Sequence, residues 1–200
     1  MVKDDIEAII AQLDQGNRDA ALRINAEFWQ NGYELSLEDE LDYIDCLLDM
    51  GELESAEQML QTKMQNLGDY GADYYEVLLK YGFLSGNLNI LNDLSEYEEV
   101  YEKEPLLFDW IRERYQNYSL RDYAFMLQKV FAGVRNLLCM TEVGITENGE
   151  ATVIYYTNRD AENNNAVIAS LNEQVVPYFT EKEKGIPDDL IIDIESIMGS

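Results

Sequence analysis

Three glycines at a fixed interval constrain this sequence more than any other feature. Gly16 ends the stretch Leu-Asp-Gln-Gly, Gly51 ends Leu-Asp-Met-Gly and Gly86 ends Phe-Leu-Ser-Gly, so the glycines stand 35 residues apart both times. A glycine costs roughly 1 kcal/mol relative to alanine inside a helix, so the three glycines predict helix ends rather than helix interiors. Five positions after the glycines, the sequence has Ala21, Ala56 and Leu91.

Each glycine is predicted to adopt the left-handed conformation that commonly follows a helix, because glycine has no Cβ to clash there. Asn17, Glu52 and Asn87 then begin a tight turn into a second helix. The small residue that follows lets this second helix pack closely against the first. The predicted unit is therefore an antiparallel helix pair, repeated along the first half of the chain.

In its period and in the spacing from glycine to alanine, the segment 2–104 resembles the tetratricopeptide repeat. The resemblance implies an α-solenoid in which the first helix of each pair lines a concave groove that binds a peptide or protein. The middle of each first helix, where that family usually has a small residue, holds Ile9, Ile44 or Leu79, which predicts wider helix spacing. The residues implied to face the groove and contact a partner are Glu38, Leu41, Asp45, Asp73, Glu76 and Lys80.

Two further helices are predicted after Pro105, which interrupts the repeats. The first covers 106–118, and the second follows a capping-box sequence at Ser119 and runs through Leu138. An array of repeats leaves its last apolar face uncovered, so the strongly apolar second helix is predicted to cap it. Residues 1–138 are therefore predicted to form a helical repeat domain with capping helices.

The pattern changes at residue 139 to that of a small ββα(β) module. Asn148-Gly149 lies between two β-branched runs, which is the strongest short signal for a β-hairpin. The segment 190–194 fits either a third strand or a short helix. The helix predicted between them is capped by Asp160 and carries Val167, Leu171, Val175 and Phe179. The predicted fold class is mainly α, with this module, residues 139–200, docked on the helices because it is small for an independent domain.

The residue types of most catalytic sites are missing from the sequence. It has no histidine, which removes the usual general base and the commonest metal ligand. Cys46 and Cys139 form no zinc-binding pattern, and no phosphate-binding glycine loop occurs. The acidic segments also lack the lysine that metal-dependent nucleases of the restriction type place beside their carboxylates. The sequence therefore predicts no enzyme, no cofactor and no metal site.

Acidic residues outnumber basic ones by 40 to 14, which gives a formal net charge of −26. Such a chain repels nucleic acids and anionic membranes and attracts a basic protein surface. Two interpretations remain open, because the acidity either forms a binding surface or only keeps solvated helix faces soluble. Residues 26–59 contain no lysine or arginine, and their acidic residues are Glu27, Glu34, Glu38, Asp39, Glu40, Asp42, Asp45, Asp49, Glu52, Glu54 and Glu57.

The predicted location is the cytoplasm. The N-terminal sequence Met-Val-Lys-Asp-Asp has acids where a signal peptide has its apolar block. No stretch approaches 18 apolar residues, and both cysteines lie in apolar runs typical of reduced, buried thiols. The expected partner is another protein, with no membrane and no direct nucleic acid.

Three hypotheses on function follow. The first is a non-enzymatic protein-binding module, of the adaptor, chaperone-like or immunity type, whose acidic helical array binds a basic protein surface. The alternative is a nucleic-acid mimic that inhibits a DNA- or RNA-binding protein with carboxylates spaced like phosphates. The second alternative is a carboxylate–metal enzyme. Under the first hypothesis, replacing Asp45 and Glu76 by lysine is expected to weaken partner binding and leave helicity intact.

Overall fold

The computed structural model describes residues 2–117, 120–158, 165–166, 169–170, 173 and 190–197. This part of the chain is mainly helical and has a small three-stranded sheet near its C-terminal end. The helices are α1 (Val2–Asp14), α2 (Arg18–Asn31), α3 (Leu37–Asp49), α4 (Leu53–Gln65), α5 (Leu67–Ser85), α6 (Leu88–Ser95), α7 (Glu98–Tyr101), α8 (Pro105–Asn117) and α9 (Leu120–Val134). The strands are β1 (Leu138–Ile145), β2 (Ala151–Thr157) and β3 (Leu190–Ser196). Within the described ranges, no helix combines the length and the apolar character needed to cross a bilayer.

The predicted left-handed glycines are confirmed, since Gly16, Gly51 and Gly86 have φ of 70°, 73° and 70°. After α1 and α3, the glycine N–H donates to the carbonyl three residues back, and the next N–H donates to the carbonyl five residues back. After α5, the second of these two hydrogen bonds is replaced by two bonds through the side chain of Ser85. The N–H of Asn87 donates to the hydroxyl of Ser85, which itself donates to a backbone carbonyl of α5.

The first helices of the predicted pairs, α1, α3 and α5, contact one another in chain order, and each also contacts the helix that follows it. In addition, α4 packs on α5, α8 on α6 and α9 on α5. The bulky Ile9, Ile44 and Leu79 of the first helices are all buried in the core. Ala21 and Ala56 are fully buried in the first turns of α2 and α4, as close packing of those helices requires.

Leu91 departs from the small-residue pattern of the first two pairs, and Gly82 makes room for it. Leu91 is fully buried on α6. A Cβ built on Gly82 of α5 would lie 2.5 Å from Cδ2 of Leu91 and 2.6 Å from its Cγ. In the preceding pair, the positions 35 residues earlier hold Leu47 and Ala56. The larger side chain at position 91 is therefore offset by the missing side chain at position 82.

We expect Gly82→Ala to lower the free energy of unfolding by about 1–3 kcal/mol, because the new methyl group meets Leu91 in a filled core. Leu91→Ala alone should cost about 2–5 kcal/mol, because it leaves a cavity. The double variant should be more stable than the sum of the two losses predicts, by more than about 0.5 kcal/mol. Urea unfolding of the four proteins measures this coupling, and strictly additive losses would contradict the proposed exchange of volume.

The helix predicted to run through Leu138 ends earlier, so that prediction is wrong. α9 ends at Val134, and Leu138 begins β1, where it pairs with Thr157. The apolar run 137–140 fits a helix or a buried strand by its pattern, and only pairing with a distant strand decides between them. Ser119, the predicted capping residue of this helix, lies outside the described residues.

The predicted hairpin is confirmed, and the segment that fitted either a strand or a helix is a strand. β1 and β2 pair antiparallel across a turn in which Gly149 has a φ of 81°. β3 lies parallel to β2 at the other edge of the sheet. A parallel pairing requires a crossover connection of a dozen or more residues, and residues 158–189 separate the two strands in the sequence. The residues predicted to form its helix, Asp160, Val167, Leu171, Val175 and Phe179, lie outside the described residues.

One face of the sheet is joined to the helices through β1, which contacts α1, α3, α5 and α8. Thr141 and Val143 of β1 lie on this face, opposite their partners Tyr155 and Val153 of β2. Both β2 residues are fully buried. β1 therefore forms one wall of the space between the sheet and the first helices, while the division of the chain into two domains at residue 138 stays a prediction.

Candidate functional site

A pocket of about 270 Å³ lies between α3, α5, β1 and the start of α8. α5 supplies positions 75, 76, 79 and 80, which share one face because residues four apart are neighbours on a helix. α3 supplies one residue, β1 supplies two, and Glu104 directly precedes α8. The lining residues are Asp45, Tyr75, Glu76, Leu79, Lys80, Glu104, Thr141 and Val143.

A buried ion pair forms the floor of this region. The ammonium of Lys80 on α5 lies 2.6 Å from Oδ1 of Asp45 and 2.7 Å from Oδ1 of Asp49, both on α3. Asp49 also accepts a 2.8 Å hydrogen bond from the backbone N–H of Thr141 in β1. The side chains of Lys80 and Asp49 are only 12% and 13% exposed. A buried charge requires partners of this kind, so one network joins α3, α5 and β1.

The same burial shifts the protonation of the pair. Burial raises the pKa of Asp49 to about 7, although Lys80 and the amide of Thr141 lower it. Burial lowers the pKa of Lys80, but the nearby carboxylates of Asp49 and Asp45 outweigh this effect, so its pKa is raised. The lysine is therefore charged at neutral pH, and the ionisation of Asp49 changes near neutrality.

The pocket lining is negative, because three carboxylates, those of Asp45, Glu76 and Glu104, stand against the one ammonium of Lys80. One hydroxyl at the pocket is also unsatisfied. The Oγ1 of Thr141 is buried and has no hydrogen-bond partner among the residues that the structure describes. The hydroxyl of Tyr155, the cross-strand partner of Thr141, is in the same situation.

Three of the six residues predicted to contact a partner, Asp45, Glu76 and Lys80, meet at this pocket. Lys80 is held by the chain's own carboxylates, whereas the Asp45 side chain remains 47% exposed and Glu76 is exposed. The remaining three do not line the pocket: Glu38 and Asp73 are exposed, and Leu41 packs half-buried on the core.

This geometry changes how the Asp45→Lys substitution must be interpreted. A lysine at position 45 would place a second ammonium beside Lys80 and would remove the half-exposed carboxylate that pairs with it. A loss of partner binding in that variant would therefore include a loss of stability. Glu76 and Glu104 line the same pocket without pairing to Lys80, so they are better positions for testing partner binding.

Sequence reasoning missed six lining or supporting residues, Asp49, Tyr75, Leu79, Glu104, Thr141 and Val143. A signal for Asp49 was present, because it stands one helical turn after Asp45 and therefore on the same face. No signal marked Thr141, because its hydrogen bond to Asp49 spans 92 residues. Only the folded chain brings β1 to α3.

A second polar cluster joins the helices but has a structural role. Glu40 of α3 accepts from the ammonium of Lys63 at 2.5 Å and from the hydroxyl of Tyr74 at 2.7 Å. Lys63 lies on α4 and Tyr74 on α5, so the three groups satisfy one another across three helices. Their mutual pairing leaves them fewer free donors and acceptors for a ligand than the pocket has.

Within the described ranges, no group of three acidic or cysteine side chains is arranged to hold a metal ion. No family model, curated protein or solved structure matches the chain. Function must therefore be inferred from the chemistry of the pocket and from the charge of the surface.

Proposed function

We propose that this chain is a non-enzymatic, cytoplasmic protein-binding module of the adaptor, chaperone-like or immunity type. It binds a basic surface of another protein through an acidic helical array. The observation that carries this proposal is the pocket, in which the carboxylates of Asp45, Glu76 and Glu104 exceed the single, already paired ammonium of Lys80. A positively charged group of a partner is the complement of such a lining.

The surface around the pocket supports the same partner chemistry. Residues 26–59 include α3 and parts of α2 and α4, and they carry eleven acidic residues and no basic one. Lysine and arginine side chains from outside this range pair with six of the eleven, and the excess of negative charge remains. A field of one sign accelerates association with an oppositely charged protein and disfavours like-charged partners. The surface therefore steers a basic protein, and the pocket supplies a defined contact.

The helix contacts support an array similar to tetratricopeptide repeats. α1, α3 and α5 follow one another in contact, each with its second helix, and the three glycine turns recur with the predicted conformation. In the array that we propose, α3 and α5 carry the binding face and β1 closes it on one side.

The excess of acidic residues in 26–59 also favours a second candidate function, a nucleic-acid mimic that occupies the site of a DNA- or RNA-binding protein. Carboxylates in place of phosphates would then account for the charge. The two candidates differ in one measurable property, because duplex DNA competes with a mimic for its partner and leaves an ordinary protein contact intact.

The test is a capture experiment with charge-reversal variants. The full chain and its Glu76→Lys/Glu104→Lys variant are immobilised and exposed to lysate of the source cells, with elution first by duplex DNA and then by salt. A matched control, Glu7→Lys/Asp14→Lys, makes the same reversal of two charges at exposed positions of α1, outside residues 26–59. We expect a basic protein that the control retains, that salt elutes, and whose capture falls by about tenfold or more in the pocket variant, about 1.4 kcal/mol.

Equal capture by the pocket variant would contradict the proposal. Elution of the partner by duplex DNA would favour the mimic instead. Far-ultraviolet circular dichroism of all three proteins checks that the charge reversals leave the helices folded.

A further inference from the structure

We infer that the pocket receives the guanidinium group of one arginine side chain of the partner, an inference that rests on the proposed function. The pocket volume of about 270 Å³ is below the roughly 300–1,000 Å³ of sites for drug-sized ligands. The size therefore suits a single side chain better than a nucleotide or another large cofactor.

The charges at the pocket select a cation. Both lysines near it already have partners within the chain. Lys80 is paired with two aspartates, and Lys103 donates to the carbonyl of Ala72 and lies 4.4 Å from the ring centroid of Tyr75. The carboxylates still have capacity, because an ionised carboxylate offers about four lone-pair positions. An anionic ligand would meet unfavourable charge, whereas a cation would find acceptors.

A second and independent observation is the hydroxyl of Thr141. Its residue is only 3% exposed, it lines the pocket, and its Oγ1 has no partner in the described part of the chain. Buried polar atoms in native proteins normally have a hydrogen-bond partner. A donor carried into the pocket by a partner would supply one.

The arrangement of acceptors favours arginine over lysine. The acceptors come from separate segments: Asp45 from α3, Glu76 from α5, Glu104 before α8 and Thr141 from β1. A guanidinium has five N–H donors in a planar fork, whereas an ammonium is a compact and strongly hydrated point charge with three. Acceptors spread over four segments match the wider group.

The remaining walls fit the methylene groups of such a side chain. Leu79, Val143 and the ring of Tyr75 line the pocket between the polar groups. Long cationic side chains bury their apolar stems against surfaces of this kind. The ring of Tyr75 already attracts the ammonium of Lys103, as expected for an aromatic face beside a cation.

The experiment titrates three small probes into the full, nitrogen-15-labelled chain at constant ionic strength. The probes are N-acetylarginine amide, N-acetyllysine amide and N-acetylcitrulline amide, the last being a neutral analogue of arginine with the same shape. We expect the arginine probe to shift the amide resonances of Leu79, Thr141 and Val143 in a saturable way. Citrulline should cause no saturable shift, and lysine should bind more weakly than arginine.

Two variants sharpen the test. Glu104→Gln should weaken the arginine probe on the order of tenfold, since a charge-assisted hydrogen bond is lost, while the exposed control Glu7→Gln should leave its affinity unchanged. Thr141→Val should also weaken the probe, yet raise the melting temperature, because it removes an unsatisfied buried hydroxyl and keeps the shape. A purely structural residue would not show these opposite effects.

The failure of this inference can be told apart from the failure of the proposed function. Equal binding of arginine and citrulline, equal binding of arginine and lysine, or no saturable shift with arginine overturns the arginine assignment. The proposed function survives each of these results if protein capture still depends on Glu76 and Glu104. Arginine-specific binding without any captured protein supports the assignment of the pocket and contradicts the proposed function.

Discussion

Replacing Lys80 by methionine is expected to lower the free energy of unfolding by about 3–5 kcal/mol at pH 8.5, because it leaves a buried carboxylate without its cation. Asp49 is 13% exposed, and its other partner, the N–H of Thr141, belongs to β1. The variant therefore weakens both the contact between α3 and α5 and the attachment of the sheet. Methionine keeps most of the apolar volume of the lysine side chain, so packing changes contribute little.

The loss should be smaller at pH 6. Burial raises the pKa of Asp49 to about 7, and Lys80 lowers it, so the variant raises this pKa further. A carboxyl group whose pKa is raised on folding stabilises the folded state at low pH. This stabilisation is lost as the pH rises through the folded-state pKa. At pH 6 Asp49 is mostly protonated in both proteins and needs the cation less. At pH 8.5 it is ionised in the intact protein, and only the variant lacks the cation.

Urea unfolding of both proteins at pH 6 and pH 8.5 measures this effect. Lys63→Met is the matched control, because Lys63 lies 2.5 Å from Glu40 and its side chain is 15% exposed. The control should lose stability, but its loss should not grow between the two pH values, since Asp49 keeps its lysine. A loss from Lys80→Met that is equal at both pH values, or below about 1 kcal/mol, would refute the role given to this ion pair.

The second large effect is expected from Gly51→Ala, which should cost about 2–5 kcal/mol. Gly51 has a φ of 73°, and its added Cβ would lie 2.7 Å from the carbonyl oxygen of Arg135. The turn cannot easily move aside. Arg18 donates two hydrogen bonds, of 3.1 and 2.6 Å, to the carbonyl of Met50, the residue before the glycine.

Gly32→Ala separates backbone strain from the steric clash. Gly32 has a φ of 59° and no atom within 4 Å of its added Cβ, so only the left-handed conformation opposes the change. Its cost should stay at about 1–2 kcal/mol. Thermal unfolding of the two variants makes the comparison, and equal losses would show that the contact with Arg135 has no influence on stability.

Local signals in the sequence predicted the parts of the fold that depend on a few neighbouring residues. The glycine turns follow from backbone sterics, the hairpin at Asn148-Gly149 follows from turn chemistry, and Ser36 caps α3 by accepting from the N–H of Asp39. Each of these features is decided within about six residues. The predicted ends of these elements were therefore close to those observed.

The features that the sequence did not predict are those determined by contacts between residues far apart in the chain. The segment from Leu138 to Met140 became a strand through pairing with β2, and the choice of a strand for the last segment depended on β2 as well. The pocket shows the same limit. Asp45 and Lys80 stand 35 residues apart, at equivalent positions of neighbouring pairs, and their opposite charges hinted at a contact. Thr141 carried no such hint, because nothing local ties it to α3.

The hydrogen bond from Thr141 to Asp49 also bears on the order in which the chain folds. The contacts among α1 to α6 join segments close in sequence, so closing them costs little loop entropy. The contact of β1 with α3 closes a loop of 92 residues, and the carboxylate of Asp49 that accepts this bond is paired with a cation only when α5 contributes the ammonium of Lys80. We therefore expect the helices to assemble first and the sheet to attach late, so that the wall of the pocket is completed in one of the last steps of folding.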